Sequence, residues 1–284
     1  MFNGIKIRCN SYPAKIEQWL IFFFTIGLSL DVFTLLVLVV LLDIATINVD
    51  GMCKKISNTI DKNTLECTFQ ATFRYGSLYR KQSVIDGGVE CSLSIITQEN
   101  PSKISFAIWG LLPSTYQDEW SYFQSVYDTL NCTVEELNST PFFDTCLDNQ
   151  RCLVLVSGFF IYHLKNGVLY PYYVYHDEGL PISLGGVYTQ LDDGFLTVAL
   201  IMKESDAVIR EIQNIENTMP LIIEQKDRSN WLNNTTSTEQ IQNQLVSKQD
   251  HHLKAHPVAR EFFKNNITYD TILEPMDYKN IPKV

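Results

Sequence analysis

The segment RCLVLVSGFFIY, residues 151–162, gives the clearest indication of the fold. Within it, residues 152–156 form a continuous apolar run of strand length. Residues 169–175 and 195–202 are two further runs of this kind, and Pro171 places the first of them at a sheet edge. The three runs predict β-strands.

After residue 202 the apolar spacing changes to that of a helix. The residues that recur at this spacing are Val208, Ile212, Ile215 and Met219. Ser205 is the predicted N-cap, and Pro220 ends the helix. Residues 65–75 fit either a strand or a helix face. Strands with only a few helices among them predict an α+β domain with a mainly antiparallel core.

The composition excludes several classes of protein. The 284 residues are 45% apolar and 19% charged, which excludes a wholly disordered chain, a collagen-like repeat and a polytopic membrane protein. The net charge of −10 argues against a broad basic face for duplex nucleic acid. The cysteines form no C-x-x-C pair and no zinc pattern, so we expect no metal site.

One segment, residues 20–42, is far more apolar than the rest. It holds 18 Leu, Ile, Phe or Val residues in 23 positions, and Asp31 is its only charge. A helix of this length spans the roughly 30 Å hydrocarbon core, and its apolar residues outweigh the cost of one Asp. We therefore predict a transmembrane helix; a buried core helix is the alternative. The flanking cations leave its orientation open.

These features predict three parts of the chain. Residues 1–51 form an N-terminal extension that contains the predicted span. Residues 52–225 form the folded domain. Residues 226–284 are a more polar extension of helix and loop that packs on this domain, with a short helix predicted over 257–264.

Seven short motifs follow one another between residues 52 and 225. They are Met52-Cys53-Lys54-Lys55, Trp109-Gly110-Leu111-Leu112-Pro113, Asn131-Cys132-Thr133-Val134-Glu135-Glu136, Arg151-Cys152-Leu153-Val154 running into Gly158-Phe159-Phe160-Ile161-Tyr162, Tyr170-Pro171-Tyr172, Gly185-Gly186-Val187 and Met219-Pro220-Leu221-Ile222-Ile223. Each motif alone is weak, but their order is specific. Their succession resembles the SOS response-associated peptidase family, whose members are also called abasic-site processing proteins.

The resemblance implies a definite chemistry. Members begin with Met-Cys, lose the methionine, and attack the aldehyde of an abasic site in single-stranded DNA with the α-amine and thiol of the exposed cysteine. A Schiff base forms first, and the thiol then closes it to a thiazolidine. An α-amine titrates at about 8 and a thiol at about 8.5, so both groups can react at neutral pH.

The resemblance carries family roles to four positions. Cys53 corresponds to the nucleophile and Asn131 to the residue that orients the sugar. Lys55 is expected to meet a phosphate, and Trp109 to line the DNA cleft. The simpler alternatives are a small buried cysteine at 53 and a core-packed indole at 109.

Three positions depart from the family pattern. Thr133 replaces a phosphate-binding Arg, and Ile161 replaces the catalytic Glu. The family His position is occupied by Gln213, with Glu216 in the same neighbourhood. His163 is a possible substitute, although a structural histidine is the simpler interpretation. Loss of the Glu and the His removes acid–base assistance worth about 10²- to 10⁴-fold each.

The position of Cys53 raises a further difficulty. It follows 52 residues and so has no free α-amine. Either a protease removes the preceding residues, or translation starts at Met52. We expect a cytoplasmic protein in the second case and a single-pass membrane protein otherwise.

The sequence thus predicts a monomeric member of this family, without metal or cofactor, that binds single-stranded DNA carrying abasic sites in the DNA damage response. Cross-linking should be slow or absent. The main alternative is a catalytically inactive, membrane-anchored binding module with the same fold. A peptidase acting on other proteins is a third interpretation, disfavoured because Cys53 has no paired His.

Overall fold

The computed structural model describes residues 53–140, 142–143, 146–246, 251–264 and 269–282, all within one compact unit of the chain, Gly51–Val284. The predicted transmembrane span, residues 20–42, and Met52 lie outside the described residues. Among the residues that are described, no helix has the length and apolar character needed to cross a membrane.

The described part of the chain is mostly β-structure with short helices. Its strands are β1 (Lys55–Asn58), β2 (Thr72–Phe73), β3 (Gln82–Asp86), β4 (Ser92–Thr97), β5 (Lys103–Trp109), β6 (Asn131–Thr133), β7 (Arg151–Val156), β8 (Gly158–Lys165), β9 (Val168–His176), β10 (Ile182–Gln190), β11 (Leu196–Glu204), β12 (Thr218–Pro220) and β13 (Leu253–Pro257). Its helices are α1 (Lys62–Phe69), α2 (Trp120–Val126), α3 (Val134–Ser139), α4 (Cys146–Asn149), α5 (Ala207–Ile212), α6 (Arg228–Trp231) and α7 (Thr238–Val246), with 3₁₀ turns at Arg260–Phe263 and Asp270–Leu273.

The smaller sheet has five strands in the order β13-β9-β8-β1-β3, and every pairing is antiparallel. A tight turn at Asn166 and Gly167, both with positive φ, joins β8 to β9. The apolar segment 151–162 supplies both β7, in the larger sheet, and β8, in the smaller one. The chain changes sheets at Ser157. Gly158 is required there because a Cβ would lie 2.2 Å from the Val174 carbonyl oxygen.

The larger sheet runs in the order β12-β11-β10-β7-β4-β5-β2, with β6 paired to β11. A parallel pairing between β5 and β11 closes part of this sheet on itself. The remaining parallel pairs are β2 with β5 and β6 with β11, and the other pairings are antiparallel. The α+β class with a mainly antiparallel core is therefore confirmed.

Alternating side chains of β7 divide the core into two clusters. Cys152, Val154 and Val156 pack in the first, together with Cys53. Leu153 and Leu155 point to the other face of the larger sheet and pack in the second. A third, smaller cluster covers the outer face of the smaller sheet, where the 3₁₀ turn Arg260–Phe263 lies on β8 and β9. The polar C-terminal extension thus contributes β13 and this turn to the fold.

Two local predictions were wrong. Pro171 does not mark a sheet edge, because β9 lies between β8 and β13; the ladder with β13 begins at Tyr172, so the missing N–H of Pro171 falls outside it. The helix predicted to reach Met219 ends at Ile212, and Asp206 rather than Ser205 is its N-cap residue. Hydrogen bonds between Asn214 and Leu164 hold the irregular segment that follows against β8.

Candidate active site

Cys53 lies two residues before the start of β1, and its side chain is buried at 6% exposure in the first core cluster. The thiol donates a hydrogen bond to the Lys55 carbonyl oxygen at 3.5 Å. Burial raises the pKa of this thiol to about 12, and the negative charge of Glu216 adds to the effect; hydrogen bonds with the backbone of Phe160 and Lys55 oppose it. The thiol is therefore protonated at neutral pH.

Asn131 brings an amide to the backbone of Cys53. Strand β6 pairs with β11 in parallel, and this register fixes Asn131 beside Leu200. Its Nδ2 donates to the Cys53 carbonyl oxygen at 2.9 Å, and the residue is 3% exposed. Its Oδ1 is buried and has no hydrogen-bond partner within the described part of the chain. A buried acceptor without a partner costs about 1–3 kcal/mol and is available to a bound hydroxyl or N–H group.

Ile161 and Gln213, two of the three positions that depart from the family pattern, have purely structural environments. Ile161 is 2% exposed and packs in the same cluster as Cys53. Gln213 is also buried, and its Nε2 donates to the Thr218 carbonyl oxygen at 2.8 Å, across the loop between α5 and β12. Neither side chain can transfer a proton.

The α5–β12 loop is fastened to β8. Both polar groups of the Asn214 amide bond the backbone of Leu164, each at 2.8 Å. The ring of His163 donates from Nδ1 to the Ile212 carbonyl oxygen at 2.7 Å. His163 is thus engaged in holding α5, as the structural interpretation of this residue requires.

This loop brings Glu216 toward Cys53. The β1–β8 register pairs Ile56 with Phe159, and the charge of Cys53 contributes to the raised pKa of Tyr162, farther along β8. Burial raises the pKa of Tyr162, and the charge of Glu216 contributes to the shift, as it does at Cys53. Glu216 is therefore the acid of the α5–β12 loop that acts on both groups. It lies directly before Asn217-Thr218-Met219-Pro220, in the same neighbourhood as Gln213.

The lysines beside Cys53 are paired with acids. Lys55 forms an ion pair with Asp86, and its Nζ lies 5.4 Å from the centroid of the Phe262 ring. Lys54 pairs with Asp128 at 2.7 Å. A DNA phosphate would have to share Lys55 with Asp86, which reduces the attraction that this lysine can supply.

Trp109 is completely buried rather than exposed in a cleft. Its indole N–H donates to the Leu130 carbonyl oxygen at 2.8 Å, and its own carbonyl oxygen accepts from the Trp120 indole at 2.8 Å. It offers no face to a DNA strand in this conformation. Trp109 is thus packed in the core, as the simpler interpretation expects. The hydrogen bond of its indole holds the backbone of Leu130, the residue that precedes Asn131.

The described cysteines are free thiols. Within the same residues, no three His, Cys, Asp or Glu side chains are grouped so as to hold a metal ion.

Comparison with known proteins gives a consistent family. The family model described as SOS response associated peptidase (SRAP) matches residues 52–265. The abasic site processing protein YMR114C of Saccharomyces cerevisiae is 25% identical over 190 residues, which are 64% of this chain and 50% of the yeast protein. The abasic site processing protein YobE of Bacillus subtilis is 23% identical over 59% of this chain and 76% of its own length. The chain thus spans only half of the yeast relative.

Solved structures share the fold. A crystal structure of a Bacteroides thetaiotaomicron protein superposes with a TM-score of 0.71 and 22% identity, over 79% of this chain and 100% of that one. A Bordetella bronchiseptica protein gives a TM-score of 0.61 with 16% identity, over 73% and 100% of the two chains. At these identities the likeness establishes the architecture alone.

Proposed function

The chain belongs to the SOS response-associated peptidase family, and from this premise we propose that it processes abasic sites in single-stranded DNA through Cys53. The observation that carries the proposal is the buried hydrogen bond from Asn131 to the Cys53 carbonyl, which joins two residues 78 positions apart. These are the two residues to which the resemblance assigns catalysis. The relatives named abasic site processing proteins support the same role.

The proposed reaction uses two groups of one residue. The α-amine of Cys53 adds to the aldehyde carbon of the opened abasic sugar, and loss of water gives the imine. The thiol then adds across the C=N bond, sulfur to carbon and its proton to nitrogen, to close the thiazolidine. Asn131 Oδ1, which has no partner within the described chain, can accept a hydrogen bond from the sugar hydroxyl or the iminium N–H.

Slow reaction follows from the state of the thiol. With a pKa of about 12 it is almost entirely protonated at neutral pH, and Ile161 and Gln213 cannot remove the proton. We assign what proton transfer remains to Glu216, whose charge acts on Cys53 and Tyr162.

The reaction also needs a free α-amine. We therefore propose that the active form begins at Cys53, after translation from Met52 and loss of the methionine or after proteolysis. On the first route the active form is a monomer in the cytoplasm; on the second, the precursor is held in the membrane by residues 20–42. Mass spectrometry of the native N-terminus distinguishes the routes. A chain that retains Met1 excludes both.

The test compares the full chain with a version that begins at Met52, each incubated with single-stranded DNA carrying one abasic site. A DNA adduct that resists denaturing electrophoresis should form slowly, and only in the second protein. Cys53→Ser should abolish it. Cys67→Ser is the matched control, because this cysteine is exposed on α1 and should not matter. An adduct that survives Cys53→Ser contradicts the proposal.

A second candidate function is a non-catalytic binding module anchored by residues 20–42. The buried Ile161 and the protonated Cys53 favour it. The module should remain with membranes after a high-salt wash and should retain Met1. A Met52-start protein that binds abasic DNA no better than intact DNA, and forms no adduct, would support this alternative over the first.

A further inference from the structure

A groove of about 820 Å³ lies on the opposite side of the larger sheet from Cys53. It is bordered by the end of α1, the turn after β4 and the segment 225–235. Ile96 and Leu153, paired in the β4–β7 register, form part of its floor and belong to the second core cluster. Cys53 belongs to the first. We call this feature the Arg228 groove, after the one charged residue among the described residues that line it.

The guanidinium of Arg228 is held in a fixed orientation. Its Cζ lies over the Phe69 ring, 4.3 Å from the centroid, and its Nε donates to Ser183 Oγ at 2.8 Å. Ser183 is buried, and its hydroxyl donates in turn to the Ile223 carbonyl oxygen at 2.6 Å. The two terminal nitrogens of Arg228 have no hydrogen-bond partner within the described part of the chain. An immobilised guanidinium with two unused NH₂ groups suits an oxyanion, because little rotamer entropy remains to be lost.

No acidic side chain among the described lining residues of the groove competes with an anion for Arg228. The charge of Glu224 acts on Arg228, and one oxygen of this carboxylate is bound by His251 at 2.5 Å. Burial lowers the pKa of Arg228 and Glu224 partly reverses this, so the guanidinium stays charged at neutral pH.

The rest of the lining suits a flat, polar-edged molecule. Phe69 and Leu232, which are only partly buried, offer apolar surface above this floor, while Gln70 and Asn234 offer amides at the rim. The volume lies within the range of about 300–1,000 Å³ that is usual for small-molecule sites and exceeds what a bare oxyanion needs. In a ligand that joins an anion to a heteroaromatic ring, the anion would bind Arg228, the ring would lie on the apolar floor, and the polar edge of the ring would contact the amides at the rim.

We propose that the Arg228 groove binds a nucleoside 5′-monophosphate unit, with its phosphate on the Arg228 guanidinium and its base over the apolar floor. The unit can come from a free nucleotide or from a DNA strand that passes over this face. This site is independent of the reaction proposed for Cys53, since the two lie on opposite faces of the larger sheet.

Isothermal titration of the full chain tests the proposal with four probes. These are deoxyadenosine monophosphate, deoxyadenosine, inorganic phosphate and a short single-stranded oligodeoxyadenylate without an abasic site. The monophosphate should bind at least about tenfold more tightly than deoxyadenosine, because one charge-assisted contact is worth about 1.4 kcal/mol. Phosphate alone should bind more weakly than the monophosphate, because it leaves the floor uncovered. Binding of the oligonucleotide without the mononucleotide would identify a strand as the source.

Two variants make the outcome decisive. Arg228→Gln removes the cation and should weaken binding of the monophosphate, or of the oligonucleotide, about tenfold or more. Gln70→Glu is isosteric and on the surface, so it preserves folding while placing a negative charge in the groove, and it should weaken binding in the same way. Lys226→Gln is the control, since this exposed lysine lies outside the groove. Absence of binding by both nucleotide probes, or binding that both groove variants leave unchanged, overturns the proposal.

Discussion

Because the Cys53 thiol is buried, it should react very slowly with alkylating reagents in the folded full chain. Its pKa is raised from 9.0 to about 12, chiefly by loss of solvation. Three pKa units lower the thiolate fraction at neutral pH by about 1,000-fold, and the thiolate is the form that reacts. The 6% exposure of the side chain slows access further.

The assay is a time course with iodoacetamide at pH 7.0, followed by digestion and mass spectrometry of the cysteine peptides. Cys67 is the internal control, because it is exposed on α1 in the same molecule. Its peptide should be fully labelled while that of Cys53 is almost unlabelled. Raising the pH toward 10 should speed labelling of Cys53 roughly tenfold per pH unit, as expected for a thiol far below its pKa.

Substitution of Glu216 tests the electrostatic part of this reasoning. Glu216→Gln removes a negative charge that raises the pKa of Cys53, so labelling should become faster. Glu211→Gln, on the exposed face of α5, should leave the rate unchanged. If Cys53 is labelled as fast as Cys67 at pH 7.0, the thiol is neither buried nor protonated as described, and the expectation of slow chemistry fails with it.

Three further predictions concern stability. Arg151→Met should lower the free energy of unfolding by about 3–5 kcal/mol in a denaturant titration, because the buried guanidinium donates to four backbone carbonyl oxygens that would lose their partner. Gly158→Ala should cost about 3 kcal/mol in the same assay, because the added Cβ would lie 2.2 Å from the Val174 oxygen. His251→Gln should destabilise the protein by about 1–2 kcal/mol at pH 6. His251 lowers the pKa of Glu224 from 4.5, so the ionised Glu224 stabilises the folded state above pH 4.5 and this contribution is lost as the pH falls below it. The difference in free energy of unfolding between the variant and the wild type should therefore narrow below pH 4.5. A difference that does not change with pH would exclude this link between the His251 contact and the ionisation of Glu224.

The strands could be predicted because their signals are local. The runs 152–156, 169–175 and 195–202 became β7, β9 and β11 with shifts of one or two residues at their ends. The ambiguous segment 65–75 contains the last turns of a helix and then a short strand, so both patterns were present. The apolar spacing that continued to Met219 did not extend the helix, because Asn214 bonds the backbone of Leu164 instead of allowing another turn.

The candidate site was only partly predictable. The order of the motifs was enough to select Cys53 and Asn131, which the fold brings into hydrogen-bond contact. The sequence places Gln213 and Glu216 in one loop, and only the folded structure shows that Gln213 bonds the Thr218 carbonyl oxygen while the charge of Glu216 acts on Cys53. The resemblance predicts a phosphate contact for Lys55, whereas its partner Asp86 comes from a neighbouring strand and could not be predicted.

The sequence by itself therefore indicated the family and the strand-rich α+β class, and it predicted two residues, Cys53 and Asn131, that the fold brings into contact, because motif order and apolar spacing are properties of the chain. The tertiary structure alone decided the chemical state of those residues. Burial of the Cys53 thiol and of Trp109, the pairing of Lys55 with Asp86 and the approach of Glu216 all depend on segments distant in sequence. Solvation and Coulomb interaction follow distance in space, and a linear sequence does not contain that distance.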